Sequence, residues 1–286
     1  MGIQSAENSG NLQGMGRSMI IIGEKINGAI PRTAEAIEQR DEGYLVELVK
    51  RQEACGADYL DVCAGTAPEI EYETLCWMID VIQDVAVKPL CIDSPDPTIL
   101  ERIFPRLKQP GIINSISAEG NKCEVLLPIL RDNPDWQVIA LCSDNHGVAA
   151  ACGEKSAIAF ELIEKALNYH MAPERIHLDP LVLALSAVND SAVQFCHAIH
   201  EIKERYPAVK VTAALSNISY GMPVRSLVNR NFLTLAIASG LDSVIADPLN
   251  RDVTGNIYAT EVLLGRDRHC RKYNAAYRKK LIGGLK

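Results

Sequence analysis

IIIGEKIN (20–27), YLDVCAG (59–65), PLCIDS (89–94) and GIINS (111–115) repeat one pattern, a short apolar run that ends in a carboxylate or an amide. IHLDP (176–180), TAALSN (212–217) and SVIADP (243–248) carry it through the second half of the chain. The runs are rich in Ile, Val and Leu, which suit a pleated and buried strand. They are continuously apolar, as parallel strands covered on both faces are. The pattern predicts strands at 19–23, 59–62, 89–92, 111–114, 137–141, 175–178, 210–214 and 243–246.

A helix-compatible stretch follows each strand. Leu75, Met78, Ile79 and Ile82 recur at helical spacing within 70–85. A loop carrying Asn27 and Pro31 is expected before a helix at 44–55, which stops at Gly56. Further helices are expected from Pro97 through 107, and at 122–131, 154–170, 189–205, 225–238 and 254–264. No Pro/Ser-rich linker interrupts the series. The order predicts an α/β chain forming one (β/α)8 TIM barrel over 19–286, with a helical C-terminal tail. An open doubly wound sheet shares that order and is the competing reading. A dinucleotide-binding version would carry GxGxxG after the first strand, and GEKING (23–28) does not supply it. Residues 1–18 are polar and Gly-rich, lack the apolar core of a signal peptide, and read as a flexible arm.

The chain has 286 residues, of which 48% are hydrophobic, enough for a full core. Its formal net charge is −7, and the one basic concentration, Arg266 to Lys286, reads as the solvated end of the last helix. Nucleic acid is therefore not an expected partner. No apolar stretch approaches the length of a membrane span. The nine cysteines show no CxxC spacing and read as free thiols, so a cytoplasmic location is expected. His197 and His200 share a helix face, but no carboxylate motif completes a site, and no metal is expected.

In a barrel, residues at the C-terminal ends of the strands face one mouth. Asp61, Asp93, Asn114, Asp179, Asn217 and Asp247 hold those positions. A carboxylate accepts two hydrogen bonds from adjacent N–H and NH2 groups, and an amide donates and accepts at once. Such a set suits a flat heterocycle with a guanidine-like edge. Taken singly, each could equally cap a helix or shape a turn. Asp144-Asn145-His146-Gly147 reads either as a cofactor support or lid, or as a plain polar turn. No nucleophile elbow surrounds Ser216 or Ser219, and Cys63 has no evident base.

Taken in order, IIIGEKING, LDVCAG, LCIDS, INS, HLDPLVL, LSNIS, NRNFL and GLDSVIAD resemble the methyltetrahydrofolate–corrinoid protein methyltransferases. That family shares a pterin-binding barrel with dihydropteroate synthase and with the folate module of cobalamin-dependent methionine synthase. The resemblance runs from about Met19 to Leu264. It implies that Asp93, Asn114 and Asp179 hold a pterin ring, with Asp61 and Asp247 beside them. It also implies that Asn217 is the catalytic residue, hydrogen-bonding near N5 of the folate. Glu24, Asn27, Cys63, Ser216, Tyr220, Arg225 and Arg230 are further candidates, and Asn229-Arg230 resembles the family's NR pair.

Three departures stand out. Cys63 replaces the Asn common in an LDxN segment, and Tyr220-Gly221-Met222-Pro223 replaces a more polar stretch. The DNHG segment lacks the last Gly of a corrinoid-binding DxHxxG motif, because Ala149 stands there. The corrinoid is thus expected on a separate partner protein, with tetrahydrofolate or 5-methyltetrahydrofolate as substrate and a homodimer as the family's assembly. The implied reaction is methyl transfer between N5 of tetrahydrofolate and a corrinoid cobalt, with a lean toward methylcorrinoid to tetrahydrofolate in the breakdown of methylated compounds. Alternatives are the reverse transfer, to a corrinoid iron–sulfur protein for acetyl-CoA synthesis, a dihydropteroate synthase-like enzyme, and a non-catalytic pterin-binding subunit.

Overall fold

β1 (Ile20–Asn27) lies between β2 (Tyr59–Cys63) and the last strand of the chain in a computed structural model that describes residues 19–283. The arm expected over 1–18 lies outside the described residues. α1 (Pro31–Glu38) and α2 (Glu42–Ala54) separate β1 from β2. The loop expected at Pro31 is a helix, because proline fits the first helical position, where its missing N–H has no partner to lose. α3 (Pro68–Gln83), β3 (Leu90–Asp93), α4 (Pro97–Ile103), β4 (Ile112–Ala118), α5 (Lys122–Asp132) and β5 (Gln137–Asp144) continue the alternation. The helix expected through 107 ends at Ile103 and tightens into a 3-10 turn, where Pro105 cannot donate to the ladder.

A two-residue strand, β6 (Gly147–Val148), folds back on β5. The fold resumes with α6 (Cys152–Asn168), β7 (Ile176–Asp179), α7 (Ser191–Arg205), β8 (Lys210–Val211), α8 (Arg225–Ser239), β9 (Ser243–Ala246), α9 (Arg251–Leu263) and α10 (Arg271–Arg278). Eight strands run parallel in the order β8-β7-β5-β4-β3-β2-β1-β9. This is the predicted barrel, and the open-sheet alternative is set aside.

The last seam, between β8 and β9, is thin. The strand expected at 210–214 keeps a ladder only at Lys210–Val211. Beyond it, Asp242 N–H donates to Val211 O at 2.9 Å, and Ile245 N–H donates to Ala213 O at 2.9 Å. The chain then winds into a 3-10 turn, Leu215–Ser219, at the mouth.

Alternation along the strands sorts the two faces. Leu60, Val62, Ile92, Ile113, Val138, Leu178 and Val244 belong to the large cluster packed under the helices. Ile22, Cys91, Ile112 and Ile139 form a separate cluster, the apolar layer inside the barrel. Below it lies a polar floor that the apolar reading of the strands did not predict. Buried His177 sits between Ser243 Oγ, 2.8 Å from Nδ1, and Gln137 Oε1, 2.9 Å from Nε2. Gln137 also donates to Tyr59 Oη at 2.5 Å and accepts from Lys210 at 2.5 Å.

Candidate active site

Two residues above the apolar layer, the same alternation carries each strand's polar end onto the barrel axis. Cys63 lies opposite Asp93 in the register, and Asp93 lies opposite Asn114. Asn114 Nδ2 donates to Asp61 Oδ1 at 3.4 Å, and both side chains are buried. Burial, and then repulsion from Asp93, hold the Asp61 carboxyl well above the usual carboxylate range, although the Cys91 thiol and the Asn114 amide favour its charge. Burial raises Asp93 to about 6 against the pull of a hydrogen bond from the Cys63 thiol. The thiol itself is pushed far up by burial and by the charges of Asp93 and Asp61. A thiol so protected is no nucleophile near neutrality.

Asp179 ends β7, is 2% exposed, and accepts the Leu181 N–H on Oδ1 at 2.8 Å. Burial raises it to about 6, opposed by that N–H and by the Lys155 ammonium. Glu24 is raised to about 7 by burial and then by Asp247, with Lys25 and Arg225 opposing. Lys25 Nζ lies 3.5 Å from Asp247 Oδ2. Asp247 also accepts the Leu249 N–H at 2.9 Å, and Asn27 accepts the Ala29 N–H at 2.8 Å. These last two contacts are local turns, the plain role that such residues often take.

Asn217 is exposed on the 3-10 turn Leu215–Ser219. Arg225 staples that turn from the start of α8, donating to Ser216 O at 2.6 Å and to Ser219 Oγ at 3.0 Å. Ser216 thus contributes its carbonyl. Tyr220 is exposed beside the turn, and its carbonyl accepts the Ser186 hydroxyl at 2.8 Å. Arg230 is not brought to this group. It lies between α8 and α9, 3.3 Å from Asp252. The 144–147 segment is a polar hairpin turn, with Asp144 paired to Gly147 and its carboxylate accepting the His146 N–H at 2.7 Å.

Two lysines escaped the sequence reading. Lys25 is a charge within a strand end, and nothing in the sequence joins it to Asp247. Lys155 had a signal, since it falls on the buried face of α6 with Ser156, Ala159, Leu162 and Ile163. Among the described residues, no group of three or more His, Cys, Asp or Glu side chains is placed to hold a metal ion.

The mouth therefore gathers acceptors on a ring, with Asp61, Asp93, Asn114 and Asp179 lining it, and several of its carboxyls take up protons near neutrality. It can hold the donor edge of a flat heterocycle and exchange protons with it.

Comparison with known proteins follows the same line. The family described as pterin binding enzyme matches residues 32–247. The methylcorrinoid:tetrahydrofolate methyltransferase of Eubacterium limosum is 50% identical over 93% of this chain and 98% of its own length. Methionine synthase of Mycobacterium leprae is 28% identical over 82% of this chain, which spans only 21% of that longer protein. Among solved structures, dihydropteroate synthase from Xanthomonas albilineans in complex with 7,8-dihydropteroate superposes with a TM-score of 0.66 at 16% identity, covering 88% of this chain and 94% of the other. At that identity the likeness concerns the fold.

Proposed function

Because the chain belongs to the family of pterin-binding enzymes, we propose that it transfers a methyl group from a methylcorrinoid, carried on a separate protein, to N5 of tetrahydrofolate. The observation that carries this reading is the near full-length likeness to the E. limosum enzyme, whose name states that reaction and direction. The ring of acceptors at the mouth is chemically suited to it.

A reduced pterin presents adjacent N–H and NH2 donors on one edge. Asp179 and Asp93 accept them, Asn114 both donates and accepts, and Asp61 orients Asn114 through its amide. Fixing the ring this way turns N5 toward the open mouth and places it for attack. In this direction the corrinoid supplies the methyl group. N5 uses its lone pair to bond the methyl carbon while the carbon–cobalt bond breaks and leaves its electron pair on the departing corrinoid, and the methylated N5 then gives up its proton. Asn217, on the exposed turn, orients that lone pair by a hydrogen bond and makes no covalent bond itself. Glu24, raised to about 7, is matched to accepting the proton near neutrality.

Purified protein, tetrahydrofolate and a methylated corrinoid protein should give 5-methyltetrahydrofolate, faster than the reverse reaction consumes it. Consumption of methyltetrahydrofolate alone would reverse the direction and point to acetyl-CoA synthesis. Asn217→Ala should lower kcat by about 100-fold with little change in folate affinity, as loss of a transition-state hydrogen bond does. An unchanged rate would mark a residue without a catalytic part. We further infer a homodimer in the cytoplasm. Leu227, Leu235 and Leu263 on α8 and α9 are large apolar side chains left exposed, and all nine cysteines are unpaired, as suits a reducing compartment. No described helix is long and apolar enough to cross a membrane. Sedimentation at the mass of one chain would end the dimer reading.

A further inference from the structure

Lys155, in the first turn of α6, is among the bulkiest fully buried side chains of the described residues, at 0% exposure. Burying an ammonium is costly unless its hydrogen bonds are made good. Among the described residues no ion pair holds it. Its Nζ donates instead to two carbonyls, Pro180 O at 2.8 Å and Leu181 O at 2.6 Å. Both belong to the turn directly after Asp179. Leu181 stands there at φ +56°, in the left-handed region where a side chain is strained. That conformation aims the Leu181 N–H at Asp179 Oδ1, 2.8 Å away.

One ammonium thus grips two carbonyls of a strained turn, and the same turn fixes one oxygen of a buried carboxylate. A methionine of similar volume would fill the space without the cost of desolvating a charge. The charge therefore serves the carboxylate more than the core. We propose that Lys155 is a positioning residue for the pterin, clamping the 179–181 turn and supplying the counter-charge of Asp179 so that its second carboxylate oxygen meets the ring. This proposal rests on the pterin-site reading above.

The titratable groups facing the pair are Cys142 on β5 and Cys152 on α6. Burial pushes both thiols up, so neither brings charge near neutrality. Burial pulls the Lys155 ammonium down, while Asp179 helps to keep it charged.

The test is calorimetric titration of the full chain with tetrahydrofolate across about pH 5.5 to 8, on wild type, Lys155→Met and Lys155→Gln, alongside thermal melts. Lys155→Met removes both clamp and charge, and should weaken binding about tenfold or more. Lys155→Gln keeps a donor for the carbonyls and should retain part of the affinity. In both variants the acid limb of binding should move up by about one pH unit, because Asp179 loses its counter-charge. A lysine that serves only packing would lower the melting temperature and leave that limb in place. Unchanged affinity and an unmoved limb in folded Lys155→Gln would overturn the proposal, and so would failure of both variants to fold, which would mark a structural residue. If only Lys155→Met fails to fold, Lys155→Gln decides. Absence of folate binding by folded wild type would sink the pterin site and this proposal together, whereas normal binding by wild type and variants alike sinks the proposal alone.

Discussion

Asp179 combines two demands that pull apart. In the proposed site its carboxylate is wanted charged to meet a donor edge, yet burial disfavours the charge and raises its midpoint to about 6. The sign of the stability effect follows. In the unfolded chain the group ionises near the usual carboxylate value, so between about pH 4 and pH 6 the folded form holds the extra proton. Stability linked to this residue is present below that window, is lost as pH rises through it, and stays lost at neutrality. Asp179→Asn should therefore raise the stability of the ligand-free protein by ~1–3 kcal/mol near neutral pH, seen in a denaturant melt, while weakening folate binding by ~2–4 kcal/mol. A variant that loses both stability and binding would contradict this account. Asp93 rises to about 6 as well, so wild-type affinity for tetrahydrofolate should fall as pH drops through about 6, when both carboxylates gain a proton and lose acceptor capacity. Affinity that is flat down to pH 5 would show that neither charge is used.

Elements differ in how far the sequence disclosed them. β2, β3 and β9 were legible almost to the residue, because β-branched and Leu-rich runs bounded by Asp and Pro have few other solutions. β8 was not, since 212–214 has apolar character but pairs at a seam where the partner strand meets it through scattered bonds. The polar floor was hidden for a related reason. His177, Gln137 and Lys210 lie on three different strands, and only the pairing of those strands side by side makes them partners. At the mouth, the strand-end acids were readable by position. Which arginine comes near was not, as Arg225 and Arg230 differ by little more than one helical turn. The structure sets Arg225 on the 215–219 turn, with two hydrogen bonds that hold the segment bearing Asn217. Arg225→Ala should therefore lower kcat by about tenfold and leave the Kd for tetrahydrofolate within about twofold, because in the proposed reaction the turn orients the transfer and the strand ends hold the ring. A variant that loses affinity but keeps its kcat would place Arg225 on the folate itself.

At the scale of the whole molecule, eight strands and their covering helices build a vessel closed at one end. Ile22, Cys91, Ile112 and Ile139 are fully buried across its middle, and His177 is fully buried beneath them. Nothing that arrives or departs can travel through the base, so traffic is one-way in and back by the same opening. In the proposed reaction the corrinoid carrier must cover that opening while N5 gives up its proton. The proton should then wait on the lining carboxyls, among them Glu24 at about 7, until the carrier lifts away. Rapid mixing with a pH indicator should show acid reaching the solvent after the colour change of methyl transfer, in step with carrier departure. Simultaneous signals would mean a second exit. A barrel sealed below thus sets an order in time, with the heavy product leaving before the lightest one can.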